Sequence, residues 1–244
     1  MTHAPLPVLF LHGIRVSGTM WHPQLHEVGQ RRPVSAPDLP GHGHRRGQHF
    51  TLAGAVDLVR QEIDDLGGRA LVVGLSLGGY VGIAAASRLG DRVAGLVAMG
   101  CTAVPTPERT RPLRVAGGLL RRLPDGGDRL NHRLFAALWG ERAATVIGER
   151  GFATEAMPDA LDELVRFDPL AEVARYGGPV WLVNGGRDHF RVDEQRFLDV
   201  CERARLVVVP RVGHLVPIAA PRVVSRLVSE VAEQVDDGTV SGVA

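Results

Sequence analysis

The sequence feature that most constrains the fold is segment 69–87, which reads RALVVGLSLGGYVGIAAAS. It opens with an apolar run from Ala70 to Val73 that is rich in Leu and Val and too short for a buried helix. The spacing G-x-S-x-G follows, centred on Ser76, and an Ala-rich, helix-favouring stretch comes after it. The segment therefore predicts a strand, a sharp turn and a helix, with a serine at the apex.

The glycines around Ser76 have a steric reason. Strand and helix backbones converge at such a turn, so the residues two positions before and after the serine, Gly74 and Gly78, must be small. The turn lifts the hydroxyl above the sheet, and the N-terminus of the following helix favours negative charge that develops there. This context indicates a nucleophile rather than a mere tight turn, so the chain should also supply a base, an acid and an oxyanion site.

Length and composition bound the class of protein. The 244 residues suffice for one large α/β domain, and the apolar and charged contents are ordinary for a globular protein. The net charge of +1 gives no electrostatic argument for nucleic acid or a membrane surface as a partner. No apolar run approaches membrane-spanning length, and the N-terminus lacks the basic region and cleavage site of a signal peptide. We therefore expect a cytoplasmic protein without a membrane span.

Cysteine and histidine usage gives no sign of a metal. Cys101 and Cys201 are far apart and are expected to be buried thiols, although a disulfide stays open. No cluster of cysteine, histidine and carboxylate side chains has the spacing of metal ligands. We expect neither a metal nor an organic cofactor, and the sequence leaves the oligomeric state undetermined.

Apolar runs alternate with helix-like segments along the chain. The pattern predicts strands over 7–12, 34–38, 70–73, 93–99, 179–184 and 205–210, and helices over 21–30, 52–66, 193–202 and 221–235. Such alternation indicates a single α/β domain over 1–244, built on a mostly parallel, doubly wound sheet. Residues 102–167 hold several prolines and no convincing strand, and they are too long for a bare connection. We interpret them as an inserted helical lid, and 237–244 as a disordered tail.

Two further residues complete a nucleophilic site. Asp188 follows the fifth predicted strand and His214 follows the sixth, so serine, acid and histidine each come after a strand. Function collects at the carboxyl ends of the strands in such sheets. A serine hydroxyl needs a base to take its proton, and a carboxylate orients that base. The sequence therefore predicts Ser76 as nucleophile, His214 as base and Asp188 as acid.

Other polar residues are assigned plainer roles. Asp38 is a less favoured candidate for the acid because it follows an early strand, and Asp168 is expected to cap a helix. His12 and His42 are expected to make structural hydrogen bonds in their loops.

The chain resembles the α/β-hydrolase superfamily, in its branch of small, cap-bearing serine esterases and lactonases. The motifs that carry the resemblance cover nearly the whole chain: His12-Gly13, Asp38-Leu-Pro-Gly-His-Gly43, Gly74-Leu-Ser-Leu-Gly78, Asn184-Gly-Gly-Arg-Asp188 and Gly213-His214. The resemblance implies that the backbone N–H groups of Ile14 and Leu77 hold the oxyanion. The chain departs from the family in two places: only seven residues precede Val8, so we expect the sheet to lack the usual N-terminal β-hairpin, and Ala219 stands where a Glu is common.

The substrate pocket is harder to predict. Arg15 directly follows a predicted oxyanion donor and could bind a substrate carboxylate or phosphate, although the sequence favours a solvent-facing loop arginine. Phe135, Leu138 and Trp139 have helical spacing and could roof the acyl pocket, and packing of the lid on the core explains the same spacing equally well. His189 and Leu215, which adjoin the acid and the histidine, are the other candidates for contact with the substrate, although a surface loop position suits His189 as well.

The sequence thus predicts a serine hydrolase that cleaves a small carboxylic ester or lactone through an acyl-enzyme on Ser76. Its partner would be a small-molecule acyl substrate. A thioesterase, a carbon–carbon bond hydrolase and an acyltransferase on the same triad are alternatives, because a shared fold does not separate them. A ligand receptor of the same fold, without turnover, is the alternative outside the enzymes.

Overall fold

Six parallel strands form one sheet in the computed structural model, which describes residues 4–239. The strands lie in the order β2-β1-β3-β4-β5-β6. Their bounds are Val8–Leu11 (β1), Val34–Ser35 (β2), Ala70–Leu75 (β3), Val93–Met99 (β4), Val180–Gly185 (β5) and Ala204–Val209 (β6). Every neighbouring pair is parallel, which confirms the predicted fold class.

Eleven α-helices connect the strands within residues 4–239. Their bounds are His22–Val28 (α1), Leu52–Asp65 (α2), Leu77–Leu89 (α3), Pro107–Leu120 (α4), Asp128–Trp139 (α5), Glu141–Ile147 (α6), Met157–Arg166 (α7), Pro169–Ala174 (α8), Glu194–Val200 (α9), Val216–Ala219 (α10) and Pro221–Asp236 (α11). None of these described helices combines the length and apolar character needed to cross a bilayer.

The alternation of side chains along β1 shows how the core is divided. Leu9 and Leu11 join a cluster with helices α2, α3, α8 and α9, whereas Val8 and Phe10 join a second cluster with α1 and α11 on the opposite face. Successive residues of a strand point to opposite faces, so each apolar strand buries both of its faces at once. The sheet is therefore covered by helices on both sides.

The structure differs from the sequence prediction mainly at the ends of elements. The strand predicted over 34–38 pairs only at Val34 and Ser35, because the chain turns away towards Pro37 and the buried carboxylate of Asp38. The helix predicted over 21–30 begins as a 3-10 turn at Gly18–Trp21 and becomes α-helical from His22. Asp168 caps α8, as predicted, by accepting hydrogen bonds from two N–H groups of its first turn.

Helices α4 to α8 fill the connection between β4 and β5, and the described chain forms no strand there. The first four of them occupy the segment interpreted above as a lid, 102–167, and that boundary stays an interpretation. Of the predicted tail, residues 237–239 follow the end of α11 and donate backbone hydrogen bonds to its last turn, and 240–244 lie outside the described residues.

Candidate active site

Ser76 lies at the apex of the turn between β3 and α3. Its φ of 53° is in the left-handed region, which residues other than glycine rarely adopt. A Cβ at Gly74 would overlap the carbonyl of Gly78, and one at Gly78 would overlap the carbonyl of Leu11. The steric reason for the G-x-S-x-G spacing is therefore visible: the turn closes only because both positions lack a side chain.

His214 and Asp188 meet at the same edge of the sheet. The two loops that follow β5 and β6 bring His214 Nδ1 to 2.9 Å from Asp188 Oδ2. The other carboxylate oxygen, Asp188 Oδ1, accepts a hydrogen bond of 2.9 Å from the N–H of Phe190. Burial alone would raise the pKa of Asp188, but the interaction with His214 and the N–H of Phe190 lower it below its ordinary value. The carboxyl group is thus ionised and oriented towards the imidazole.

Gly100, the residue after β4, lies against the His214–Asp188 pair. A Cβ built on Gly100 would be 2.9 Å from His214 Cε1 and 3.3 Å from Asp188 Oδ2. Its φ is +60°, and its N–H is held by Val183 O and by the buried side chain of Asn184. Backbone without a side chain therefore supports one side of the imidazole.

One cavity joins these groups to helices α4 and α5. It has a volume of about 530 Å³ and is lined by Ser76 and His214, by Ile14 of the loop after β1, and by Phe135 of α5. All four residues predicted to contact the substrate line this same cavity: Arg15, Trp139, His189 and Leu215. Leu138, the third member of the predicted roof, is 67% exposed instead.

The two predicted oxyanion donors lie beside Ser76. Leu77 is the first residue of α3 and lines a smaller adjoining cavity of about 40 Å³, together with Ile14 and Ser76. In residues 4–239, neither the N–H of Ile14 nor that of Leu77 donates to a protein acceptor. Both N–H groups are therefore available to a substrate oxygen that binds next to Ser76.

His12 holds the loop that carries Ile14. Its Nδ1 donates to Gly13 O at 2.8 Å, and its Nε2 accepts from the N–H of Leu39 at 2.9 Å. Complete burial, with a contribution from nearby His42, lowers the pKa of His12 to about 3. The imidazole is therefore neutral, and its role is the structural one predicted from the sequence.

The structure corrects the prediction for Arg15, because this residue is not the solvent-facing arginine that the sequence favoured. Its Nη1 donates to Asn131 Oδ1 of α5 at 3.0 Å, and its Nε is buried without a hydrogen-bond partner. Its own carbonyl accepts from the N–H of Ala153 at 2.8 Å. Desolvation lowers the pKa of Arg15 from its ordinary value. The residue therefore connects the loop after β1 with the helices above the cavity.

Asp38 makes a different set of contacts from those of a catalytic acid. It accepts hydrogen bonds from the N–H groups of Gly18 and His44, each at 2.8 Å, and from Arg150 Nη1 at 2.9 Å. Although burial would raise its pKa, these partners lower it. Asp38 thus anchors the segment above the cavity to the core, whereas Asp188 is the carboxylate bonded to His214.

Three residues at the site were missed by the sequence analysis. Besides Gly100 they are Phe190, whose ring packs on His214 with centroids 4.6 Å apart, and Asn184, whose amide joins Gly100 N to Thr102 and Glu194. Asn184 opens the motif that contains Asp188, so its position at a strand end was a usable signal. Nothing in the local sequence singles out Gly100 or Phe190.

Known proteins resemble this chain over most of its length. The family model described as the alpha/beta hydrolase family matches residues 8–227. A pimeloyl-acyl-carrier protein methyl ester esterase of Neisseria meningitidis is 29% identical over 231 residues, which cover 88% of each chain. An esterase of Mycobacterium tuberculosis is 27% identical, over 93% of this chain and 82% of its own.

A solved structure extends the likeness to three dimensions. The malate-bound thermophilic esterase from Thermogutta terrifontis superposes with a TM-score of 0.79 at 25% identity, covering 96% of this chain and 92% of its own. These comparisons make the chain a hydrolase and support the carboxylic ester hydrolase class that the sequence predicts.

Proposed function

The chain belongs to the α/β-hydrolase family, and from this membership we propose that it cleaves a small carboxylic ester or lactone through an acyl-enzyme on Ser76. The observation that carries the proposal is the convergence on one cavity of a serine at a strained turn and a histidine bonded to a buried carboxylate. Ser76, Asp188 and His214 each follow a different strand, so the parallel sheet is what brings them together.

The proposed reaction begins with proton transfer. His214 Nε2 takes the proton of Ser76 as Oγ attacks the acyl carbon, and the proton then passes to the departing alkoxide. Water next attacks the acyl-enzyme, with His214 again as base, and Ser76 leaves with its proton restored. Asp188, bonded to Nδ1, keeps Nε2 free to accept and stabilises the imidazolium in both steps.

The reaction also requires that the negative charge developing on the carbonyl oxygen be stabilised. The free N–H groups of Ile14 and Leu77 lie beside Ser76, and the second of them begins a thirteen-residue helix. Donors that are already in place cost no reorganisation when negative charge develops. Removal of one such donor typically costs about 100- to 1000-fold in rate.

The cavity suits the apolar acyl group of a small-molecule substrate. Its wall includes the apolar side chains of Val16, Leu113, Phe135, Trp139 and Leu215. Apolar walls with few polar groups are typical of pockets that bind small organic molecules.

Hydrolysis of nitrophenyl esters from acetate to dodecanoate tests the proposal. The wild-type protein is compared with Ser76→Ala and with Ser87→Ala, which removes a hydroxyl from the same helix, α3. We expect turnover that is lost in Ser76→Ala, is kept in Ser87→Ala, and prefers the shorter acyl chains. Equal turnover by the wild type and Ser76→Ala on every ester would reject the proposal and leave another bond type, or a receptor.

A further inference from the structure

Arg15 is a charged group at the cavity wall without a charged partner. In residues 4–239 no carboxylate lies within ion-pair distance of its guanidinium. Its one hydrogen bond, of 3.0 Å, goes to the neutral amide oxygen of Asn131, and its Nε is buried without any partner. Keeping a guanidinium partly desolvated in this way costs free energy, as the lowered pKa of Arg15 also indicates.

The charge is not balanced elsewhere in the cavity. The residues that line it include two arginines, Arg15 and Arg211, and no aspartate or glutamate. Asp188 is close by, but its side chain is fully buried and its oxygens are occupied by His214 and Phe190. The two arginines outnumber this one nearby carboxylate, so a negatively charged group that enters the cavity would meet a net positive field.

The position of Arg15 is fixed before any ligand arrives. Its φ is +71°, its carbonyl is held by the N–H of Ala153, and its Nη1 is held by Asn131. Little side-chain freedom is left to lose on binding, and the planar fork of a guanidinium matches a carboxylate. Because Arg15 follows Ile14 directly, it lies next to the place where the acyl carbonyl would be held.

We propose that Arg15 binds a carboxylate carried by the acyl part of the substrate, so that the enzyme prefers half-esters of dicarboxylic acids to neutral esters. This inference rests on the proposed ester hydrolysis and adds the substrate class to it. The competing account is that Arg15 only ties the loop after β1 to α5 through Asn131.

The first test is a ratio of two rates. The kcat/KM for the nitrophenyl half-ester of glutarate is divided by that for nitrophenyl 5-methylhexanoate, which has the same shape without the charge. We expect Arg15→Met to lower this ratio by about 10- to 100-fold, the range for hydrogen bonds between charged groups. The ratio cancels any general loss of activity, and Met is strained by the positive φ as much as Arg is.

Two control variants distinguish binding of the carboxylate by Arg15 from its structural contact with α5. Arg211→Met removes the same charge from the exposed part of the same wall, also at a positive φ, and should change the ratio by less than about threefold. Asn131→Ala cuts the contact with α5 but leaves the guanidinium, so it should lower the ratio much less than Arg15→Met does. A loss as large as that of Arg15→Met would favour the purely structural role. An unchanged ratio in Arg15→Met, or an equal change in Arg211→Met, would overturn the assignment.

A binding measurement keeps this inference distinct from the proposed function. The Ser76→Ala protein is titrated calorimetrically with monomethyl glutarate and with neutral dimethyl glutarate, with and without Arg15→Met. Binding of the half-ester that disappears with Arg15→Met supports the carboxylate site even if the wild type hydrolyses no ester. Ester hydrolysis with no dependence of half-ester binding on Arg15 rejects the site and leaves the hydrolase.

Discussion

Substitution of Gly100 by Ala tests whether the imidazole of His214 is positioned by bare backbone. The added Cβ would be 2.9 Å from His214 Cε1, about 0.5 Å short of the 3.4 Å at which ordinary contact begins. The imidazole must move by about that amount, because the Gly100 backbone is held by Val183 and Asn184. A misplacement of about 1 Å can cost about 100-fold in rate, so we expect kcat to fall by about tenfold.

Gly90→Ala is the matched control for this substitution. Gly90 follows α3 with a φ of +56°, close to the +60° of Gly100, but a Cβ there meets nothing within 4 Å. Each variant should lose about 1–3 kcal/mol of stability from its backbone conformation. Only Gly100→Ala should also lose activity per folded molecule.

The assay combines urea unfolding with steady-state hydrolysis of a nitrophenyl ester. Unfolding gives the folded fraction of each variant under assay conditions, and kcat is corrected by it. If Gly100→Ala keeps the kcat of Gly90→Ala, His214 is either not in contact with Gly100 or not needed for the reaction. An unchanged kcat in Gly100→Ala would therefore refute the reasoning.

Three other perturbations have definite expected outcomes. Asp188→Asn should lower kcat by about 10,000-fold, because an amide stabilises the wrong tautomer of His214. The thermal unfolding temperature should change little, and a loss of kcat below about tenfold would contradict this prediction. Arg150→Met should lower the free energy of unfolding by about 1–3 kcal/mol, because it leaves the buried charge of Asp38 without its cation. An unchanged urea midpoint of unfolding would contradict this prediction. His12 is neutral when folded down to about pH 3 but protonates near pH 6.5 when unfolded, so stability is lost as the pH falls between these values. We expect about 3 kcal/mol less unfolding free energy at about pH 4.5 than at about pH 7, and a smaller difference in His12→Gln.

Local patterns predicted the sheet and the order of the site residues. Strand bounds follow from apolar runs between glycines and polar turns, and the prediction for β4, 93–99, matches the structure at both ends. The turn at Ser76 was predictable because the glycines it requires are adjacent to it in sequence. Asp188 and His214 were found because parallel strands bring their carboxyl ends to one edge.

Contacts between distant segments could not be predicted in the same way. The support of His214 by Gly100 and the ion pair of Asp38 with Arg150 join residues more than one hundred positions apart. The environment of Arg15 depends on Asn131 and Ala153, which lie in the segment above the cavity. No periodicity reports how that segment packs, so the sequence wrongly favoured a surface position for Arg15 over a ligand contact. The cytoplasmic location and the bounds of the lid stay predictions.

The most direct test of the central claim is to label the nucleophile covalently and locate the labelled residue. The protein is treated with a fluorophosphonate, which phosphonylates an activated serine, and its peptides are then analysed by mass spectrometry. We predict one adduct per chain, on Ser76, formed much more slowly in Asp188→Asn and absent from Ser76→Ala. An adduct on another residue, or none in a protein that hydrolyses esters, would contradict the account.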